Sequence, residues 1–125
     1  MTKKIAILAI LITLFIAGNL LASEKVWFGG NVIIHTSNPA DVVIGYKDIN
    51  NNEYPQEDWD DYSSGTYPFG FPVNTGAPAP VKIYAEGTAP YGCYDYDECV
   101  ANPNGTHTLE LWLGVEPPGE EDPEQ

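Results

Sequence analysis

The sequence predicts an all-β protein built as an antiparallel β-sandwich, and three observations support this prediction. Beyond residue 24, apolar and polar residues alternate in short runs, which is the pattern of half-buried strands. Turn-forming residues, 12 Gly and 11 Pro in the whole chain, separate these runs. No window after the first segment has the spacing of an amphipathic helix. Short alternating strands separated by turns are typical of two packed sheets.

The chain begins with the features of a secretory signal peptide, residues 1–22. Two lysines precede an apolar run from Ile5 to Ala17, and the small residues Ala22 and Ser23 follow. This order predicts an N-terminal signal helix that is removed after Ala22 or Ser23, and hence a secreted protein of the periplasm or the extracellular space. A retained membrane anchor is the alternative, because the apolar stretch approaches the length of a spanning helix.

The first half of the remaining chain predicts three strands and one long acidic loop. Gly29 and Gly30 mark a bulge or a close approach of the backbone within the first strand. Pro68 and Pro72 place the third strand near a sheet edge. Residues 48–64 are acidic and poor in aliphatics, so we expect a long loop there. The strands are expected at residues 25–36, 41–46 and 66–73.

The second half predicts two further strands, at residues 81–86 and 106–113, and a cross-linked tip. Asn104-Gly105 predicts a hairpin that leads into the last strand. Outside the cytoplasm, Cys93 and Cys99 are expected to form a disulfide, with two unconnected thiols as the alternative. Six steps of strand span roughly 20 Å, whereas bridged Cα atoms lie about 5.5 Å apart. The intervening segment is therefore expected to fold back as a stapled tip.

Acidic residues dominate the composition, with a formal net charge of −13 and no arginine. Phosphate binding needs Lys and Arg, so nucleic acid is excluded as a partner, and an anionic membrane surface is disfavoured for the same reason. The expected organisation is a signal peptide at 1–22, a sandwich domain at 23–114 and a disordered, acidic, Pro-rich tail at 115–125.

Three segments together carry the pattern of a known domain family. They are Ser64-Gly65-Thr66-Tyr67-Pro68-Phe69, Ala40-Asp41-Val42-Val43-Ile44, and Val81 to Gly87 followed by Tyr91-Gly92. They resemble the D-G-x-Y-x-F, G-V-x-V and Y-x-V-x-A-x-G-Y elements of carboxypeptidase regulatory-like domains, which have a transthyretin-like (prealbumin-like) fold. Ser64 stands where that family has Asp, and an acidic insert precedes it. The resemblance, over about residues 25–114, implies a non-catalytic accessory or surface module with no active-site residues.

Exposed aromatic residues are the first candidate site. Trp27, Tyr84 and Trp112 lie on the parity opposite the core, so we expect a platform that stacks on sugar rings or anchors a protein partner. Two alternatives remain: the bulge shifts the parity so that Trp27 joins the core, or the acidic loop covers the rings.

A calcium site is the second candidate. Asp48-x-Asn50-x-Asn52 places oxygen ligands at alternate positions, as calcium loops do. The match to the EF-hand loop then ends, because Glu53 and Trp59 occupy positions six and twelve. A mobile, solvated loop is the alternative. The expected ligands are Asp48, Asn50, Asn52, Asp58, Asp60 and Asp61.

Catalytic patterns are weak in this sequence. No Gly-x-Ser-x-Gly elbow is present, and neither His35 nor His107 has an evident partner. A pair of acids that hydrolyses glycosides is the least favoured reading, since a domain this small offers little room for a cleft. The sequence thus predicts a non-catalytic binding or structural module that contacts glycan or protein, with a calcium-binding module as the alternative.

Overall fold

The computed structural model describes residues 24–118, and every regular element in that range is a β-strand. The predicted signal peptide and residues 119–125 of the predicted tail lie outside the described residues. The seven strands are β1 (Lys25–Thr36), β2 (Ala40–Lys47), β3 (Glu53–Tyr62), β4 (Gly65–Asn74), β5 (Lys82–Ala89), β6 (Cys93–Val100) and β7 (Thr106–Leu113).

The strands form two sheets that pack face to face, in the orders β4-β1-β7 and β3-β2-β5-β6. This arrangement confirms the predicted all-β class and its two layers. All neighbours are antiparallel except β1 and β7, which are parallel. The three-stranded sheet is therefore mixed and not purely antiparallel. The chain crosses from the four-stranded sheet to the three-stranded sheet after β6, and β7 then runs beside β1 in the same direction.

The core consists of the side chains that the alternating pattern placed inward. Burying one such side chain fully contributes about 1.5–3 kcal/mol. Val81 is an exception, since it lies one residue before β5 and is exposed. The buried hydrophobic residues on the inner faces include Phe28, Val32, Ile34, Val42, Ile44, Tyr46, Phe69, Phe71, Val73, Ile83, Ala85, Leu109, Leu111 and Leu113.

The Gly29-Gly30 pair permits a close approach between β1 and β7. A Cβ atom on Gly30 would lie 1.8 Å from the carbonyl oxygen of His107. The buried His107 ring spans the same place. Its Nε2 accepts a hydrogen bond of 2.9 Å from the Asn102 backbone N–H, so its Nδ1 carries the proton that is donated to the Gly29 carbonyl at 2.7 Å. The His107 ring therefore links the β6–β7 connection to β1 and has a structural role.

The predicted loop at residues 48–64 is wrong, because most of it is strand β3. Two irregularities in its pairing with β2 interrupt the alternation of inward and outward residues, so the sequence does not show the two-residue period of a strand. The first lets Tyr54 and Glu57 both lie opposite inward residues of β2, and the second does the same for Trp59 and Tyr62. Each pair is three residues apart, so a regular strand would place its members on opposite faces.

The free edge of β4 carries few unpaired donors, as its prolines predicted. Pro68 and Pro72 have no N–H to offer at that edge. The Gly70 N–H between them is bound by the carboxylate of Glu57, which reaches over from β3 in the other sheet. Burial raises the pKa of Glu57, and this hydrogen bond offsets part of the shift. The edge is thereby protected against pairing with another chain.

The predicted stapled tip is also wrong, because residues 93–100 form the continuous strand β6. Cys93 lies opposite Ala89 and Cys99 lies opposite Ile83, and both thiols are free. A crosslink across so short a segment gains only about 2 kcal/mol. It would require β6 to leave β5, along which the two strands pair over their full length.

The predicted hairpin at Asn104-Gly105 is a crossover between the sheets. Asn104 has the positive φ of 57° that such a turn requires. However, β6 and β7 lie in different sheets, and the Asn104 N–H bonds the Trp27 carbonyl at 2.8 Å instead. The turn is where the sequence places it, but the strands that it joins do not pair.

Candidate functional site

The three predicted platform residues do not meet. Trp27 and Trp112 lie on the outer face of the three-stranded sheet, whereas Tyr84 lies on the outer face of the other sheet. Trp112 pairs with His35, eight positions along β1 from Trp27, so the backbone positions of the two tryptophans are about 26 Å apart along the strands at 3.3 Å per residue. The outward parity predicted for all three residues is confirmed, but the platform itself is not formed.

Tyr84 is covered, with a side chain only 1% exposed. It pairs across the sheet with Gly45, which leaves space for a ring, and it stacks on Tyr96 at 5.8 Å between centroids. Gly45 cannot carry a side chain, because a Cβ there would lie 2.4 Å from the Tyr54 carbonyl oxygen. An aromatic ring over a cross-strand glycine is a structural device of β-sheets. Tyr84 is therefore a packing residue.

The outer face of the β4-β1-β7 sheet, hereafter the three-stranded face, carries almost no charge. Its strands present Lys25 at one end and a single carboxylate, Glu110. The side chains on this face are Lys25, Trp27, Asn31, Ile33, His35, Thr66, Pro68, Pro72, Asn74, Thr106, Thr108, Glu110 and Trp112, together with Gly29 and Gly70.

The opposite outer face carries most of the acids that belong to strands. Two lysines of that face, Lys47 and Lys82, hold Glu98 between them at 3.3 and 2.9 Å. Within residues 24–118, the other acids of that face have no lysine partner. The outward acids of β2, β3, β5 and β6 are Asp41, Glu53, Asp58, Asp60, Glu86 and Glu98. The two outer faces thus differ sharply in charge.

One end of the three-stranded face is a compact aromatic and polar cluster. The His35 ring stacks on the Trp112 indole with centroids 3.6 Å apart and planes 10° apart. Its Nε2 lies 2.8 Å from the Glu110 carboxylate. All three side chains are half-buried. The stack on Trp112 and the contact with Glu110 hold the His35 ring in place, and the one carboxylate of the face has a partner.

At the other end, Trp27 is 55% exposed and its backbone is tied down. The Trp27 N–H donates to the Asn104 side-chain oxygen at 3.3 Å, and the Trp27 carbonyl accepts from the Asn104 N–H. The indole is therefore displayed from a fixed backbone. Between the two ends, Asn31 and Thr108 lie side by side and offer amide and hydroxyl groups.

Asp48, the first predicted calcium ligand, has its carboxylate occupied by the chain itself. Its oxygens accept hydrogen bonds from the backbone N–H groups of Asn50 and Asn52, the Asn52 amide and the Tyr54 hydroxyl, at 2.8–3.1 Å. Burial pushes the pKa of Asp48 upward, but the bonds from Asn52, Tyr54 and Asn50 outweigh it and hold that pKa below its usual value. Asp48 closes the β2–β3 turn.

Asn50 and Asn52 lie with Asp48 in the β2–β3 turn, whereas the other predicted acidic ligands lie on β3. Asp58 lies five residues beyond the start of the strand, and Asp60 and Asp61 lie near its end, away from the Asp48 turn. Across residues 24–118, no three acidic, histidine or cysteine side chains converge in a way that would hold a metal ion. The structure therefore does not assemble the predicted calcium set.

Sequence reasoning missed a cluster of aromatic rings at the β3–β4 turn. Trp59 and Tyr62 stack with centroids 4.8 Å apart, and Tyr67 meets Tyr62 edge-on at the same distance. The signal was present, since rings are unexpected in a solvated acidic loop. The bulge that brings Trp59 and Tyr62 to one face could not be read from the sequence.

The described part of the chain contains no helix that could cross a membrane. Comparisons with protein-family profiles, with curated proteins and with solved structures found no match to this chain.

Proposed function

We propose that the protein is a secreted, non-catalytic binding module of the cell envelope or extracellular space, and that its three-stranded face binds an extended, uncharged polysaccharide. The observation that carries the proposal is the distribution of charge. In a chain of net charge −13, this face presents one carboxylate, and that carboxylate is paired with His35. Faces that bind a partner are depleted of charge and enriched in aromatic side chains.

The shape and chemistry of the face favour a glycan over a protein. The two tryptophans occupy backbone positions about 26 Å apart along the strands at 3.3 Å per residue, with hydroxyl and amide groups between them. An indole can stack on the C–H face of a sugar ring, and polar groups between the stacking sites fix the orientation of the hydroxyls. A protein partner would call for a contiguous apolar patch, whereas Ile33 is the one large aliphatic of the three strands on this face.

The non-catalytic assignment is supported by the environment of the histidines. His107 is buried, and both ring nitrogens bond the backbone. His35 is paired with Glu110 and stacked on Trp112, and it lies on an open sheet face rather than in a cleft. The N-terminal sequence supports export. The resemblance to transthyretin-like regulatory domains is consistent with an accessory role, and we propose that fold family on the sequence motifs alone.

Affinity electrophoresis tests the proposal. The purified protein is run through gels that contain neutral polysaccharides such as β-glucan, xylan or mannan, and through gels that contain an anionic one such as alginate. We expect retardation by a neutral polymer and none by alginate. Trp27→Ala and Trp112→Ala should each weaken the retardation by about fivefold or more, since each removes a stacking ring.

Tyr94→Ala is the matched control, because Tyr94 is 59% exposed on the opposite outer face. It should leave the retardation unchanged. Absence of retardation by every neutral polymer would contradict the proposal. So would full retardation of the Trp27→Ala/Trp112→Ala double variant.

A further inference from the structure

A small open pocket lies at the β3–β4 turn, away from the three-stranded face. It is lined by Asp61, Tyr62, Ser63 and Tyr67 and has a volume of about 280 Å³. The rings of Tyr62 and Tyr67 form two of its walls, with an angle of 65° between their planes and 4.8 Å between their centroids. The two rings meet edge-on, so the lining of the pocket is largely aromatic.

The walls are held in place before any ligand arrives. Trp59 stacks on Tyr62 with an interplanar angle of 15°. The Tyr67 hydroxyl donates to the Ser63 carbonyl at 2.9 Å, and the Tyr67 ring covers Gly65, where a Cβ would lie 3.1 Å from the hydroxyl oxygen. A preorganised pocket loses less free energy to ordering when it binds.

Asp61 sits at the rim in a constrained backbone conformation. Its φ is 60°, which is uncommon for a residue other than glycine, and its N–H is held by the Asp41 carboxylate at 3.1 Å. Within residues 24–118, the Asp61 carboxylate itself has no hydrogen bond or ion pair. The pocket lining thus combines two tyrosine rings with one acidic residue whose carboxylate has no partner among residues 24–118.

We propose that this pocket binds a quaternary ammonium group, such as the trimethylammonium head of choline. A cation over an aromatic face is attracted by the ring quadrupole, and it gains further from a carboxylate that is not already paired. A primary ammonium group would need several hydrogen-bond acceptors to replace its water, whereas the pocket offers one free carboxylate. A methylated ammonium has no N–H to satisfy. The net charge of −13 also concentrates cations near the surface.

The test is a titration followed by ¹H–¹⁵N NMR, with choline as the probe. We expect saturable shifts at the Trp59 indole and at the backbone amides of Asp61 and Ser63. The neutral isostere 3,3-dimethylbutan-1-ol has the same shape without the charge, and it should bind at least about tenfold more weakly. Equal affinity for the two probes would overturn the proposal. Nα-acetyl-lysine amide carries a primary ammonium group on its side chain. If it bound as tightly as choline, the assignment of a quaternary ammonium ligand would be overturned.

Two variants make the test specific to this pocket. Asp61→Asn removes the charge, and Asn tolerates a positive φ, so the fold should survive while choline binding weakens by about fivefold. Tyr62→Leu removes one wall and should weaken binding by about tenfold, whereas Tyr62→Phe keeps the ring and should stay within about twofold. Unchanged choline affinity in Asp61→Asn contradicts the proposal regardless of how Tyr62→Leu folds.

Discussion

The carboxylate of Asp95 accepts a hydrogen bond of 2.7 Å from the backbone N–H of Trp112. Asp95 belongs to the edge strand of one sheet and Trp112 to the edge strand of the other. Asp97 binds the Glu110 N–H in the same way at 2.8 Å. The inward-facing carboxylates of β6 therefore accept hydrogen bonds from backbone N–H groups on the free edge of β7. The contact also fixes the backbone that displays the Trp112 indole on the three-stranded face.

The hydrogen bond between Asp95 and Trp112 should stabilise the contact between the two sheet edges. Asp95→Ala should lower the free energy of unfolding by about 1–2 kcal/mol, because it removes a charge-assisted hydrogen bond to a backbone donor. Asp58→Ala, which removes an exposed acid of β3, should change stability by less than about 0.5 kcal/mol. Urea unfolding curves measure both. Equal stability of the two variants would show that Asp95 does not hold the edges together.

Glu98 predicts how stability depends on pH. A hydrogen bond from Lys82, opposed by burial and supported by Tyr96 and Lys47, lowers the pKa of Glu98 from 4.5 to about 2. The folded state therefore binds this proton more weakly than the unfolded state does. The stabilisation is complete above pH 4.5 and is lost as the pH falls towards 2.

Glu98→Gln should accordingly be less stable than the wild type at pH 7, by about 1–2 kcal/mol after allowance for solvent screening. The difference should shrink below pH 4.5 and vanish near pH 2. Urea midpoints at pH 7, 4 and 2 measure this convergence. A difference that is the same at all three pH values would contradict the assignment.

Removing the hydroxyl group from Tyr84 and removing it from Tyr96, which lies on the same face, should have different effects on stability. The Tyr84 hydroxyl is buried without a hydrogen-bond partner among the described residues, and burial, followed by the charges of Glu53 and Glu86, raises the pKa of Tyr84 to about 12. Tyr84→Phe should therefore leave stability unchanged or raise it by up to about 1 kcal/mol. Tyr96→Phe loses the 2.9 Å bond to Glu98 and should lower stability by about 1 kcal/mol.

Thermal unfolding of the two variants at pH 7 gives the comparison directly. A loss on Tyr84→Phe as large as that on Tyr96→Phe would show that the Tyr84 hydroxyl has a partner. Titration of the tyrosine absorbance provides a second measurement, because one group fewer should ionise near pH 12 in the Tyr84→Phe variant.

The cysteines provide a test of strand β6. We expect two free thiols in protein that was exported and purified without reductant, because β6 holds Cys93 and Cys99 roughly 20 Å apart along the strand. Burial raises the pKa of Cys99, so its thiol should react slowly in the folded state and readily in urea. An intact mass lower by two hydrogen atoms, with a peptide that links the two cysteines, would contradict the strand.

The inner faces were predictable from the sequence because strands with one buried face repeat every two residues. Phe28, Ile44 and Leu111 are examples, and all three are buried in the core. Where the backbone departs from that period, the prediction failed. In β3, extra residues at two bulges put Tyr54, Glu57, Trp59 and Tyr62 out of alternation, so that a strand read as a loop.

The grouping of site residues depended on topology, which local patterns do not contain. The outward parity of Trp27, Tyr84 and Trp112 was readable, but the assignment of their strands to sheets was not. The cysteine pair failed for a related reason. Export from the cytoplasm favours oxidised cysteines, which is why a disulfide was predicted. Whether the two thiols can meet depends instead on the pairing of β6 with β5, which keeps them apart.

The central claim is that recognition takes place on the three-stranded face, and NMR mapping tests it most directly. An oligosaccharide of the polymer that gives the strongest gel retardation is titrated into ¹⁵N-labelled protein. We expect the shifted signals to run along one face, from the Trp27 indole through Asn31 and Thr108 to the Trp112 indole. Shifts confined to Tyr94, Tyr96 and the rest of the opposite face would contradict the claim.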